Sequence, residues 1–220
     1  MKLYMVSLGP GDYELITVKA LKALKQSDAI CIPTKSADNS FVRSMTYKIV
    51  KKLMDEFGFD KPIIPMYSPM KFQKEDWQRQ VDIIYNSFNE YKTLSFVTLG
   101  DSAVYSTVYY LLDLIKEQNI TIYKQCEVIP GVTSFSHASA KVKKPLCVGD
   151  SSFLIRPLHK KKVPFTTVYM RPKIGMSTEN IKNKNLIYTF ENLNYKEEQI
   201  LDYKKQKVDK YMTLFIDFLQ

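Results

Sequence analysis

The chain has 220 residues, 45% of them hydrophobic and 25% charged, which suits one large domain or two small ones with a buried core. No apolar run reaches the roughly 18 residues of a membrane span, and the start, "MKLYMVSLGPGD", reads as a first strand and not as a signal peptide; a cytoplasmic protein with no membrane partner is expected. The formal net charge of +9 gathers between Lys141 and Lys173, where nine Lys or Arg face one acid, Asp150, so the stretch is either a solvated surface or a site for an anionic partner.

In chain order, residues 2–8 and 29–33 are expected strands. Between them Leu15, Val18, Leu21 and Leu24 recur at helical spacing. Residues 40–57 repeat that pattern with Phe41, Met45, Ile49, Leu53 and Phe57. "KPIIPMY" is a short strand, and residues 73–91 place Trp77, Val81, Ile84 and Phe88 on one helical face. A strand over 94–99, a helix over 104–118, a strand over 125–129 and a helix over about 133–142 follow. Such alternation predicts an α/β fold with a mostly parallel sheet. After Lys144-Pro145 the pattern changes to short β-like runs, "SSFLIRP", "FTTVYMRP", "KNLIYTF" and "KYMTLFIDFL", with one helix candidate near 176–182. The expected division is therefore an N-terminal α/β domain, 1–144, and a smaller C-terminal α+β domain, 145–220.

The three cysteines, Cys31, Cys126 and Cys147, are widely spaced and odd in number, which argues for a reducing compartment and against a zinc cluster. The two histidines, His137 and His159, are far apart in the sequence. No metal site is expected. "GPGDYE" fails as a dinucleotide fingerprint because its third glycine would fall on Glu14. No P-loop lysine and no G-x-S-x-G elbow is present.

Glycines mark the candidate site. Gly9 and Gly11, Gly100, and Gly131 each follow an expected strand of one sheet. Ligands of open α/β sheets gather at such strand ends, and glycine lets a ligand approach the backbone. Tight turns account for each glycine singly, and a helix cap, worth about 1 kcal/mol, accounts for Asp101 or Ser102.

Three segments, "SLGPGDYELITVKALKAL" at 7–24, "FVTLGDSAVYST" at 96–107 and "VIPGVTSFSHASA" at 128–140, together resemble the tetrapyrrole (corrin/porphyrin) methyltransferases. Within that family "LGDxxxYST" and the strand "IIPMYSPM" look most like the enzymes that methylate C20 of precorrin-2 or cobalt-factor II in cobalamin biosynthesis. The resemblance covers almost the whole chain and is weaker after residue 150. It implies a two-domain fold with a ligand cleft between the domains, a homodimer, and S-adenosyl-L-methionine as donor, leaving S-adenosyl-L-homocysteine.

Carried over motif by motif, the resemblance assigns cofactor contacts to Pro10, Leu99, Gly100, Asp101, Val104, Thr133, Ser134 and Met170, with Asn192 and Leu193 as a looser match. Tyr105, Ser106 and Thr107 would face an anionic tetrapyrrole. Lys160, Lys161 and Lys162 would pair with its carboxylates. Loss of the meso proton needs a base, for which Tyr105, Asp101 or a water are candidates. The chain departs from the pattern at Ser102, where the family usually has proline, and at "RPLHKKKVPF", which replaces a longer segment. The alternatives are a sister methylase acting at another corrin position or on another substrate, and a basic nucleic-acid-binding module. The second finds no RNP, zinc-finger or helix-turn-helix pattern to support it.

Overall fold

The computed structural model describes residues 1–69, 73–155, 166–170, 172–179, 181, 186–193 and 196–218. These form two compact units, Met1–Ser152 and Phe153–Gln220. The division falls after Ser152, beyond the expected 144/145 boundary. The intervening segment makes local turns of its own: Ser139 Oγ donates to Lys144 O, and Ser151 Oγ accepts from Val148 N–H at 2.8 Å.

The first unit is a five-stranded parallel sheet in the order β3-β2-β4-β1-β5. Its strands are β1 (Lys2–Ser7), β2 (Ala29–Thr34), β3 (Ile63–Tyr67), β4 (Thr93–Thr98) and β5 (Cys126–Ile129). The helices are α1 (Val18–Gln26), α2 (Met45–Phe57), α3 (Lys74–Ser87), α4 (Val108–Gln118), α5 (Ile120–Gln125) and α6 (Ser134–Val142). Right-handed crossovers put connections that run in opposite directions along a sheet on opposite faces. Connections toward β3 carry α1 and α2, whose Leu24, Ile49, Val50 and Leu53 pack with Val6, Ile30 and Val97. Connections running back carry α3 and α4, whose Val81, Ile84, Leu111 and Ile115 pack with Leu3, Met5, Leu94 and Phe96. Burial on both faces explains why β1, β2 and β4 read as near-continuous apolar runs. On the second face Trp77 of α3 stacks on Tyr110 of α4, with ring centroids 4.1 Å apart and planes within 4°.

Two local expectations are corrected here. The helix expected from 104 begins at Val108, because Tyr105 takes φ 51°, a left-handed conformation that a helix cannot include. The short α5 was not anticipated. Asn119 opens it by accepting from Ile122 N–H at 3.0 Å, a side-chain cap that restarts a helix immediately after another ends.

The second unit is a four-stranded antiparallel sheet, β6-β9-β7-β8, of β6 (Thr167–Tyr169), β7 (Leu186–Glu191), β8 (Gln199–Leu201) and β9 (Thr213–Phe218). β8 was not anticipated. The helix expected near 176–182 is absent among the described residues there: Ser177 bridges Lys207, and Thr178 N–H donates to Gln206 O at 3.1 Å. Long-range pairing replaces the local ladder. Of the run 151–157, expected to be β-like, residues 151–155 are not in a strand, and 156–157 lie outside the described residues. The buried face of this sheet mixes Ile187 and Phe215 with Thr189, Glu191, Thr213 and Asp217. Tyr188, Phe190, Leu214 and Ile216 alternate with them and are only partly buried.

Candidate functional site

All five strands of the first sheet are parallel, so the loops after β1, β4 and β5 leave from one edge. β1 and β4 are neighbours whose onward connections depart in opposite directions, the usual position of a ligand crevice. There the two loops are tied together: Gly9 N–H donates to Gly100 O at 3.1 Å, and Gly100 N–H donates to Gly9 O at 2.7 Å. Ser7 Oγ accepts from Ser102 N–H at 2.9 Å. Asp101 Oδ1 accepts from Ala103 N–H at 3.1 Å and from Gly131 N–H at 3.5 Å, which brings in the loop after β5.

Gly131 sits where no side chain fits. A Cβ there would lie 2.6 Å from Ser7 Cβ and 2.8 Å from Gly100 O, so the three loops meet only because this residue is glycine. Gly100 is the opposite case. Its φ is +76°, and a Cβ would meet nothing within 4 Å, which leaves open space over the backbone. Of the expected cofactor residues in this unit, Pro10 lies between Gly9 and Gly11 and is partly buried. Leu99 is exposed, and Val104 is in the turn that follows Asp101. Thr133 caps α6, its Oγ1 accepting from Ser136 N–H at 3.3 Å, and Ser134 is the first residue of that helix.

The expected acceptor residues share the β4 loop. Tyr105 is 72% exposed. Ser106 Oγ lies 3.3 Å from Thr98 Oγ1 and accepts from Val108 N–H, so its hydroxyl already serves the loop. Thr107 is the residue before α4 and makes no side-chain cap. Lys160, Lys161 and Lys162 lie outside the described residues. Tyr109, about half exposed, lies in the first turn of α4. Burial and then the nearby Asp101 carboxylate raise its phenol above the ordinary tyrosine range, so it stays a hydrogen-bond donor at neutral pH. Burial pushes the thiols of Cys31 and Cys126 up to about 12; neither is a ready nucleophile.

In the second unit Met170 and Leu193, far apart in sequence, line one cavity of about 590 Å³. Pro172, Ile174, Phe190 and Met212 share its wall. Asn192 is not among the lining residues. It takes φ 52° and donates its N–H to Met212 O at 2.9 Å, turning the chain so that Leu193 reaches the wall. Tyr211-Met212 duplicates the Tyr169-Met170 pair in sequence, a signal that could have pointed to this second contributor.

The sequence profile of the Tetrapyrrole (Corrin/Porphyrin) Methylases matches residues 2–183. The chain belongs to the tetrapyrrole methylases. Among curated methylases it is 29% identical over 187 residues to the "Probable cobalt-precorrin-2 C(20)-methyltransferase" of Methanocaldococcus jannaschii, covering 83% of this chain and 75% of that one. It is 32% identical over 160 residues to the cobalt-precorrin-2 C(20)-methyltransferase of Salmonella typhimurium, covering 70% and 62%. It is also 30% identical over 150 residues to the cobalt-precorrin-4 C(11)-methyltransferase of Priestia megaterium, covering 68% and 50%. Among solved structures, a cobalamin synthesis related protein of Corynebacterium diphtheriae aligns with a TM-score of 0.55 at 12% identity, over 98% of this chain and 97% of that one; that likeness concerns the fold. Among the described residues no helix of this methylase is long and apolar enough to cross a membrane.

Proposed function

We propose that the protein methylates C20 of precorrin-2 or cobalt-factor II with S-adenosyl-L-methionine, as a step of cobalamin biosynthesis. Family membership and the two C(20)-methyltransferase relatives support the reading. The observation that carries it is the Gly9–Gly100 bridge closed by Gly131. It offers open space over Gly100, together with the Asp101 carboxylate. A ligand with ribose hydroxyls and an amino-acid end fits that set, since carboxylate and carbonyl oxygens accept from hydroxyl and ammonium groups.

Pro10, Leu99, Gly100, Asp101, Val104, Thr133 and Ser134 hold the cofactor in the first unit. Met170 and Leu193, which line one cavity of the second unit, and Asn192, which turns the chain beside them, are the cofactor assignments there, those of Asn192 and Leu193 the looser ones. The bound cofactor supplies a methyl group activated by its sulfonium. The chain itself needs no covalent intermediate; its task is to hold donor and acceptor in line and exclude water. Tyr105, exposed beside Asp101, orients the acceptor, and Asp101 or Tyr105 accepts the meso proton directly or through a water. Lys160, Lys161 and Lys162 pair with acceptor carboxylates. We take the active form to be a cytoplasmic homodimer of this two-domain chain.

Calorimetry with S-adenosyl-L-homocysteine tests the cofactor, and absence of binding overturns the reading. Incubation with labelled donor and either metal-free or cobalt-bearing acceptor, followed by NMR of the product, tests the position. A methyl group at C11 would favour the second reading, a sister methylase, which the Priestia megaterium relative supports.

A further inference from the structure

Glu191 ends β7 with its carboxylate fully buried. Its Oε1 receives Lys205 Nζ at 2.9 Å, and Lys210 Nζ stands 3.8 Å from Oε2. Oε2 has no hydrogen-bond partner among the described residues. A buried carboxylate is costly unless paired, so the place where this one is kept needs a reason. Phe190, the preceding residue, lines the 590 Å³ cavity. Glu191 itself is not among the lining residues, while Phe190 on the other face of the strand and Thr213 across the ladder both are, so its carboxylate lies beside the cavity wall without entering it. Opposite Glu191 in the ladder is Thr213, whose Oγ1 donates to Lys210 O at 2.8 Å. Directly after Glu191 come Asn192 and Leu193; directly after Lys210 come Tyr211 and Met212. Leu193, Tyr211 and Met212 all line the cavity, and Asn192 N–H closes on Met212 O.

We propose that Glu191, gripped by Lys205 and Lys210, is a positioning residue that fixes both rims of the cavity and so sets cofactor affinity without touching the cofactor. The two lysines approach from the segment that leads into β9, so the carboxylate joins the exit of β7 to the entry of β9. A neutral side chain releases that tie, and the Asn192 turn then samples positions in which Leu193 leaves the wall. The inference rests on the proposed assignment of Met170 and Leu193 to the cofactor.

The test uses the full chain. Glu191→Gln keeps shape and removes charge. Its S-adenosyl-L-homocysteine Kd should rise about tenfold, the scale of one lost charge-assisted hydrogen bond. The KM for donor should rise with it, while kcat at saturating donor stays within about twofold. Because the variant leaves Lys210 without its carboxylate, while Lys205 keeps Asp209, and can destabilise the unit, the double variant Glu191→Gln with Lys210→Met removes the excess charge. In that variant the melting temperature should return toward the parent value while Kd remains raised. If Kd recovers with the melting temperature, Glu191 is only structural and the proposal is overturned. An unchanged Kd in Glu191→Gln overturns it too and leaves the functional reading standing. Failure of the parent protein to bind the ligand removes both.

Discussion

The two units bury different kinds of surface. In the first, Leu3, Met5, Leu94 and Phe96 on one face and Val6, Ile30, Ile32 and Val97 on the other are completely enclosed. In the second, the buried hydrophobic residues among those described are Ile187, Val208 and Phe215, and beside them lie Thr178, Thr189, Glu191, Thr213 and Asp217. Apolar burial is worth roughly 25 cal/mol per Å² and is indifferent to direction. Hydrogen bonds and ion pairs stabilise only when geometry is kept. One unit is thus a rigid platform for backbone contacts, and the other depends on a few directed polar ties.

The sharpest way to break this comparison is a matched pair of truncations. Phe96→Ala and Phe215→Ala each remove a fully buried ring, at about 3–5 kcal/mol. The first should lower the stability of the first unit and leave it folded. The second deletes the largest of three enclosed apolar side chains and should unfold its unit, which hydrogen exchange resolves by showing β7 and β9 amides exchanging freely. Equal protection loss in both units would remove the distinction.

Next in size is the loop junction. Gly131→Val forces Ser7 and Gly100 apart, and S-adenosyl-L-homocysteine affinity should fall by about a hundredfold or more, equivalent to about 2.7 kcal/mol. Gly100→Val meets no neighbour, so its fold should survive at the cost of strain of about 1 kcal/mol, and its loss of affinity reports on the space itself. Calorimetry alongside a thermal melt checks both.

Tyr105→Phe should lower single-turnover methyl transfer about tenfold, the loss expected of one hydrogen bond to a charged group, with cofactor affinity intact. The exposure of this residue removes a core role, so its melting temperature should not move. Full activity would take Tyr105 out of the site.

The smallest effects are those of pH, and they differ by unit. Lys19 and then Lys2 hold the Glu127 carboxyl below its ordinary range. A depressed folded pKa gives stability that is present above the unfolded value and lost as pH falls through the folded one. Both lysines reach Glu127 from other elements at 2.6 and 3.1 Å, but the carboxylate is about a third exposed. Glu127→Gln should therefore flatten the acid limb by under about 1 kcal/mol. Lys205 is shifted the other way. Asp209 and then Glu191 hold its ammonium above the ordinary lysine range. Its contribution is present below the unfolded value and is lost as pH rises through the raised folded one. Alkaline melts should weaken the second unit first, and Lys205→Met should remove that limb.

The sequence carried the first unit well because period and burial agree there. Ile49 and Leu53 repeat along one face of α2, and strands enclosed on both faces are almost wholly apolar. It also carried the meeting of the β1, β4 and β5 loops, because a glycine stands at each strand end. What it hid was conformation that only partners decide. Tyr105 turning left-handed ahead of α4 has no local signature, and the apolar period predicts a helix from Val104. A helix is expected near 176–182, yet Thr178 N–H donates to Gln206 O and Met176 O accepts from Val208 N–H. In β7 and β9 apolar residues fall on both faces, Ile187 and Phe215 on one and Tyr188, Phe190, Leu214 and Ile216 on the other, so the pattern does not mark Thr189, Glu191 and Thr213 as enclosed. A charge in a strand is read as solvent-facing until its lysines are placed behind it.

The Trp77–Tyr110 stack has an optical consequence. Trp77 is the chain's single tryptophan, so fluorescence excited through the indole comes from the first unit alone. Tyrosine signals, by contrast, come from both. Unfolding of the two units can then be followed as separate colours in one cuvette. Tyr110 stands in the first turn of α4, immediately after the Gly100–Thr107 loop. Displacement of that loop by a ligand would move a ring stacked against the indole at 4.1 Å, and a change in emission on ligand titration is the expected outcome.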